Sequence, residues 1–182
     1  MTKALTVAAT LLLFTVSCSD AKKEGDMETI SDTSATATVP AKPHEYAVNA
    51  IFSSAFEIGD YSQADKVLEL WKQYDENTLD KGLDYFADSV TLFMHDGWKY
   101  FGKRDSLMKM MKQKRGEYSS MNTVLVGIIP LRATDLNENW VSIFGTEYTT
   151  MKNKKDSADI QEYWRFNKDG KIDMMHSFKR KK

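Results

Sequence analysis

One cysteine and three prolines in 182 residues leave several functions without material. A lone thiol builds neither an internal disulfide framework nor a cysteine-rich zinc site. The three histidines, His44, His95 and His176, include no close-spaced pair on one helix, so no metal is expected. Charge of one sign is equally scarce. Lys and Arg total 25 against 26 Asp and Glu, a formal net charge of −1, so no overall field draws the chain to nucleic acid and no nucleic-acid partner is expected. There is no glycine-rich phosphate loop, no serine elbow and no Cys–His nucleophile pattern, and no cofactor is implied. What is present, 42% apolar and 28% charged residues, is the composition of a globular chain. Its length suits one domain with about 25 to 45 residues left over.

Those extra residues lie at the amino terminus. Met1-Thr2-Lys3 gives a short positive start, and Ala4 to Val16 is an apolar run too short to span a bilayer and right for the central region of a secretory signal. The run ends in Thr15-Val16-Ser17-Cys18, which resembles a bacterial lipobox, with Thr15 where the pattern has Leu. The resemblance implies that 1–17 is a lipoprotein signal peptide, that Cys18 carries the lipid, and that the protein is exported to the cell envelope and anchored to a membrane on its periplasmic or cell-surface side. The other reading is an ordinary secretory signal with an incidental thiol. Residues 18–43 are Ser, Thr, Ala and charge with Pro40 and Pro43, and the only large apolar side chains are Met27, Ile30 and Val39. They bury too little to offset their ordering entropy and read as a flexible tether reaching roughly 25 to 30 Å. The closing Lys179-Arg180-Lys181-Lys182 reads as a solvated chain end, with contact to lipid headgroups as the second reading.

Residues 44–182 form the domain. From His44 to Gly59 the alternation of Phe52, Ser54, Phe56 and Ile58 is compatible with a short strand, and the residues before it with a helix. Over Gln63 to Asn77, Val67, Leu70, Trp71 and Tyr74 recur with helical spacing, and Asp60 and Ser62 stand as caps. A shorter helix from Thr78 carries Leu83 and Phe86, and a third, near Asp105 to Arg115, carries Leu107, Met110 and Met111. Strands are predicted at Val90–Met94, Trp98–Phe101, Met121–Leu131, Asn139–Thr150, Ile160–Asn167 and Lys171–Arg180. Pro130 marks an edge or bulge. This is an α+β order, three N-terminal helices followed by an antiparallel meander.

The segments YFADSVTLFMHDGWKYFGKRDSLMKMMKQKR, NWVSIFGTEYTT and EYWRFNKDGKIDMMHSF together resemble nuclear-transport-factor-2-like (SnoaL-like) domains, over about 63–179. The resemblance implies a strongly curved antiparallel sheet wrapped around the helices, a cone-shaped pocket at its wide end, and a homodimer through the outer sheet face. Isomerases, cyclases, dehydratases and epoxide hydrolases share the family with pure binding modules, so fold alone does not assign function. The family's catalytic carboxylates and tyrosines do not transfer onto matched positions here.

The last hairpin supplies the candidate chemistry. With Gly170 left-handed in a Lys168-Asp169-Gly170 loop, pairing that continues unbroken from Phe166 opposite Ile172 sets Arg165 opposite Asp173, Trp164 opposite Met174, and Glu162 opposite His176. Glu162 and His176 then share an apolar inward face and are read either as an acid/base couple or as a buried polar pair that satisfies itself. Trp71, Tyr74, Tyr85, Met110, Met111, Trp164 and Met174 are the candidate pocket lining. His95 and Asp96, in a turn, and Ser142 and Glu147, on a strand whose inward face the pattern leaves open, are weaker candidates. Three functions follow: an anchored domain binding a small apolar molecule, a cofactor-independent proton-transfer enzyme (isomerase, dehydratase or cyclase type) using His176 and Glu162, or a structural dimerisation module.

Overall fold

The computed structural model describes residues 46–48, 50 and 52–182. Every described residue lies in one compact unit, Lys42–Lys182. The signal-peptide and tether readings, Cys18 and His44 therefore lie outside the described residues. No helix among those described is long and apolar enough to cross a membrane.

Local chemistry sets the helices. The Asp60 carboxylate accepts the Ser62 N–H at 2.8 Å and starts α1 (Tyr61–Glu76). Asn77, left-handed at φ 59°, ends it by returning its N–H to the carbonyls of the last turn. Ala64, Val67 and Leu70 bury one face of α1. A 3-10 helix follows at Leu79–Tyr85, where Gly82 lets the chain come close: a Cβ there would stand 2.4 Å from a Leu70 methyl. Helix α2 (Arg104–Gly116) buries Leu107, Met108 and Arg115.

The strands are β1 (Phe56–Ile58), β2 (Phe86–Phe93), β3 (Lys99–Lys103), β4 (Ser120–Ala133), β5 (Glu138–Met151), β6 (Lys154–Phe166) and β7 (Ile172–Lys181). They form one sheet in the order β1-β4-β5-β6-β7-β2-β3. The β4–β7 meander is antiparallel as expected, but β2 pairs with β7 in parallel, so the sheet is mixed. A short hairpin loop compels antiparallel pairing, and no such loop joins β2 to β7, which are separated in sequence by the whole meander. Pro130 lies just past the end of the β1 pairing, where a missing N–H interrupts no ladder between β1 and β4. The bulge in β4 falls instead between Leu125 and Gly127.

The terminal hairpin departs from its expected register after one pair. Gly170 is left-handed at φ 67°, Asn167 N–H donates to the Lys171 carbonyl, and Phe166 faces Ile172. A bulge at Asp173 then moves β7 on by one residue: Arg165 pairs with Met174, Trp164 with Met175, Tyr163 with His176, and Glu162 with Ser177. His176 and Met174 thereby turn to the face opposite Glu162. Alternation alone does not choose this register, because β7 places a buried methionine on each face, Met174 on one and Met175 on the other. Val141, Ile143, Trp164, Phe166, Ile172 and Met175 join the helices in one buried cluster, while Trp140, Met174 and Ala133 form a second with Phe93, Leu131 and Tyr163. The Arg165–Asp173 ion pair persists, bidentate at 2.9 and 3.2 Å, with Glu138 also 3.3 Å from the guanidinium.

The basic carboxyl end carries β7 as far as Lys181, and Arg180, Lys181 and Lys182 are exposed to solvent. Lys179 pairs with Glu147, Arg180 and Lys182 with Asp159, and Lys181 lies 3.9 Å from Asp156. These bonds hold the Asp159 carboxyl down at about 2.

Arg115 ties the helix ends together. Its guanidinium, buried on α2, donates to the carbonyls of Tyr74 (2.7 Å), Asp75 (2.7 Å) and Tyr118 (2.9 Å). Arg115→Leu leaves three carbonyls without that donor and is expected to cost about 3 kcal/mol in urea denaturation, with a cost below ~1 kcal/mol contradicting the role.

Candidate functional site

The inward-facing register of the meander decides which side chains meet the helices. Glu147, Gly145, Ile143 and Val141 share one face of β5, and across the ladder lie Ile160, Glu162 and Trp164 on β6, then Lys179, Ser177 and Met175 on β7. With Trp71 and Tyr74 of α1 and Met110 and Met111 of α2, residues from this face line a cavity of about 410 Å³. Its wall is mostly apolar, which is the composition of a small-molecule site with a few polar groups to fix orientation.

Glu162 is the central polar group. Trp71 Nε1–H donates to its Oε2 at 2.8 Å and Trp164 Nε1–H donates to the same oxygen at 3.0 Å. One indole comes from α1 and the other from two residues further along the same strand face, so helix and sheet converge on a single oxygen. The Ser177 hydroxyl, directly across the ladder, is a further donor. What accessibility Glu162 retains opens onto the cavity it lines. Burial pushes its carboxyl up to about 7; the two indole N–H bonds and Ser177 oppose that rise, and the Glu147 charge adds to it. Because both indoles bond Oε2, the proton of the neutral acid belongs on Oε1.

Other ionisable groups stand in the same wall. Asp75, at the end of α1, accepts the Thr123 N–H at 2.7 Å and its hydroxyl at 3.0 Å; burial nonetheless raises its carboxyl above the ordinary range. Burial also raises the Tyr74 phenol strongly, with Glu147 and Glu162 contributing. Glu147 is held by Lys179 at 2.5 Å. Among the described residues no three His, Cys, Asp or Glu side chains gather as ligands for a metal.

The structure places the sequence candidates unevenly. Trp71, Tyr74, Met110, Met111 and Trp164 line the cavity, as does Glu162. Tyr85 packs against the main core but is not in the cavity wall, because it closes the 3-10 helix one residue before β2 begins. Met174 belongs to the second cluster, and Met175, its neighbour beyond the bulge, lines the cavity in its place. The Glu162–His176 couple is not formed: the bulge sends His176 outward, where its ring lies 4.3 Å from that of Phe93 and edge-on to Phe52 at 6.4 Å. Its buried Nε2 has no hydrogen-bond partner, and burial followed by the Arg165 charge lowers its pKa. His95 and Asp96 are exposed in the β2–β3 turn at the cavity, where Asp96 accepts the Trp98 N–H at 3.0 Å. Ser142 faces away from the cavity, and Glu147 faces in. Sequence reasoning missed Asp75, Ser177 and Lys179. A correct β7 register would have found the last two; nothing in the helical pattern marks Asp75.

A carboxyl raised by the fold makes stability depend on pH with a fixed sign. Between the ordinary value of 4.5 and about 7, the folded chain keeps a proton on Glu162 that the unfolded chain has lost, so this group's contribution falls as pH rises through that window. Glu162→Gln removes the dependence. Relative to the unaltered protein, the Gln variant is expected to gain roughly 2 kcal/mol in urea denaturation between about pH 5 and about pH 8. Parallel pH profiles for the two proteins would contradict it.

No family model and no curated protein matches the chain. Solved structures do. An NTF2-like protein of unknown function from Exiguobacterium sp. 255-15 aligns at 17% identity and TM-score 0.52, covering 65% of this chain and 98% of that one. An M. tuberculosis LEH-like epoxide hydrolase aligns at 10% identity and TM-score 0.55, covering 65% and 84%. A protein described as a SnoaL-like polyketide cyclase, from Shewanella denitrificans OS-217, aligns at 8% identity and TM-score 0.55, covering 66% and 92%. At such identities the likeness is one of fold alone, and the fold of this chain is NTF2-like.

Proposed function

We propose that the domain binds a small, largely apolar molecule in the cavity, with Glu162 as the polar contact that orients it. The observation that carries this reading is a carboxyl held by two indole N–H groups within a mostly apolar wall of about 410 Å³. A purely structural module has no use for a buried acid beside an open cavity, since filling that space with apolar side chains would be more stable. The reading includes a sheet curved around the helices, supported by the fact that α1, α2 and strands β2, β4, β5, β6 and β7 all contribute to one cavity wall. It also includes export and lipidation at Cys18, supported by the amino-terminal sequence, and pairing of two copies through the other sheet face, supported by exposed Phe101 and Phe178 there.

A second reading, proton-transfer catalysis, is favoured by one observation: a carboxyl that titrates near 7 exchanges protons readily at neutral pH. Glu162 would then act alone as acid and base. Fold neighbours described as a polyketide cyclase and an epoxide hydrolase are compatible with a cavity of this kind serving chemistry.

The binding reading is tested with the neutral fluorescent probe N-phenyl-1-naphthylamine. Saturable binding of one probe per chain is expected, weakened about tenfold or more by Met111→Arg with circular dichroism unchanged. Absence of saturable binding, or binding indifferent to Met111→Arg, would contradict it. The anchor is tested by mass and fractionation: the unaltered protein is expected in the membrane fraction with acyl mass on Cys18, and Cys18→Ser in the soluble fraction. A Cys18→Ser protein that stays with membranes contradicts the anchor.

A further inference from the structure

The cavity is unbalanced in charge. Four carboxyl groups line it, from Asp75, Asp96, Glu147 and Glu162, but only two lysines, Lys114 and Lys179. Both lysines are already paired, Lys179 to Glu147 at 2.5 Å and Lys114 to Glu117 at 2.8 Å. Among the described residues no Lys, Arg or His forms an ion pair with Glu162 or Asp75. Arg115, the cation nearest α1's end, spends its donors on backbone carbonyls.

A carboxyl out of bulk water needs either a proton or a cation. The protein supplies Glu162 with neutral donors only, and all the indole donation goes to Oε2. Neither indole bonds Oε1, and Glu162 lines the cavity. The surrounding wall offers Trp71, Tyr74, Trp98, Tyr118 and Trp164, rings whose faces attract a desolvated cation. Apolar length is supplied by Leu70, Met110, Met111, Ile160 and Met175.

Resting on the binding reading above, we infer that the guest is an amphipathic amine: an apolar body with one protonated nitrogen seated against the Glu162 carboxylate. In the empty cavity a proton does the work of the missing cation, consistent with the raised pKa of Glu162. The ammonium displaces that proton, so binding releases it to solvent and is favoured as pH rises. The other titratable groups of this cavity wall are Tyr74 and Asp75 from α1, Lys114 from α2, Tyr118 before β4, Glu147 from β5, Lys179 from β7, and His95 and Asp96 in the β2–β3 turn. Lys179 and Glu147 cancel one another. Asp75 adds to the attraction. An anionic guest is repelled by the Glu162 carboxylate once that group has lost its proton.

The test compares three probes of one length, n-octylamine, n-octanol and octanoate, by calorimetry on the full-length protein. At about pH 8 the amine is expected to bind about tenfold more tightly than the alcohol, and octanoate most weakly. The amine's advantage is expected to shrink as pH falls below about 7, with proton release visible as a dependence of heat on buffer. Glu162→Gln should bring amine and alcohol level. Alcohol binding as tight as amine overturns the amine, and an amine preference that survives both low pH and Glu162→Gln overturns its seat on Glu162; either result leaves an apolar-ligand site standing. Failure of all three probes to bind overturns the site and this inference together.

Discussion

Two indole N–H groups, one from helix α1 and one from strand β6, bond the same oxygen of a carboxyl that forms no ion pair among the described residues. Trp71 reaches Glu162 only because α1 lies against the inward face of the meander, and Trp164 reaches it because residues two apart share that face. The arrangement fixes the rotamer of an acid in apolar surroundings, with both indoles on one of its two oxygens. Neutral donors stabilise the anion only partly, so burial still carries the carboxyl into the range where it exchanges protons near pH 7.

The bulge at Asp173 is what makes this site simple. With unbroken pairing an imidazole would have stood beside the acid; with the extra residue, Ser177 stands there and His176 joins Phe93 and Phe52 on the far face. Asp173 itself is held by a bidentate bond from Arg165, an ion pair that fixes the bulged residue in place. The site therefore presents one carboxyl rather than a couple within the protein. That is why the charge balance of the cavity wall says more about the ligand than any catalytic motif does.

Much of the scaffold was legible in the sequence, for physical reasons that can be named. The spacing of Val67, Leu70 and Tyr74, and the cap at Asp60, dictated α1; Gly170 and Asn167 dictated the last turn, which formed as read. The order of elements carried the fold. Two features were not legible. The parallel pairing of β2 with β7 joins segments far apart in sequence, and no local pattern encodes its direction. The Asp173 bulge lies in a hairpin with apolar residues on both faces, where alternation cannot choose a register. Glu162 could still be placed inward, because β6 reads the same with or without the bulge. Everything on β7 beyond Asp173 changed faces, which cost the His176 and Met174 assignments. Glu147 was undecidable within β5 and became inward once its partners on β6 were known.

The account stands on the protonation of one side chain. Carbon-13 NMR of the glutamate carboxyl carbons, followed across pH on the unliganded protein, reads it directly. One glutamate signal with its midpoint at about 7 is expected, missing from the spectrum of Glu162→Gln. A Glu162 signal with its midpoint near 4.5 would place that carboxyl in water and contradict the clamp, the cavity acid and the ligand argued from them.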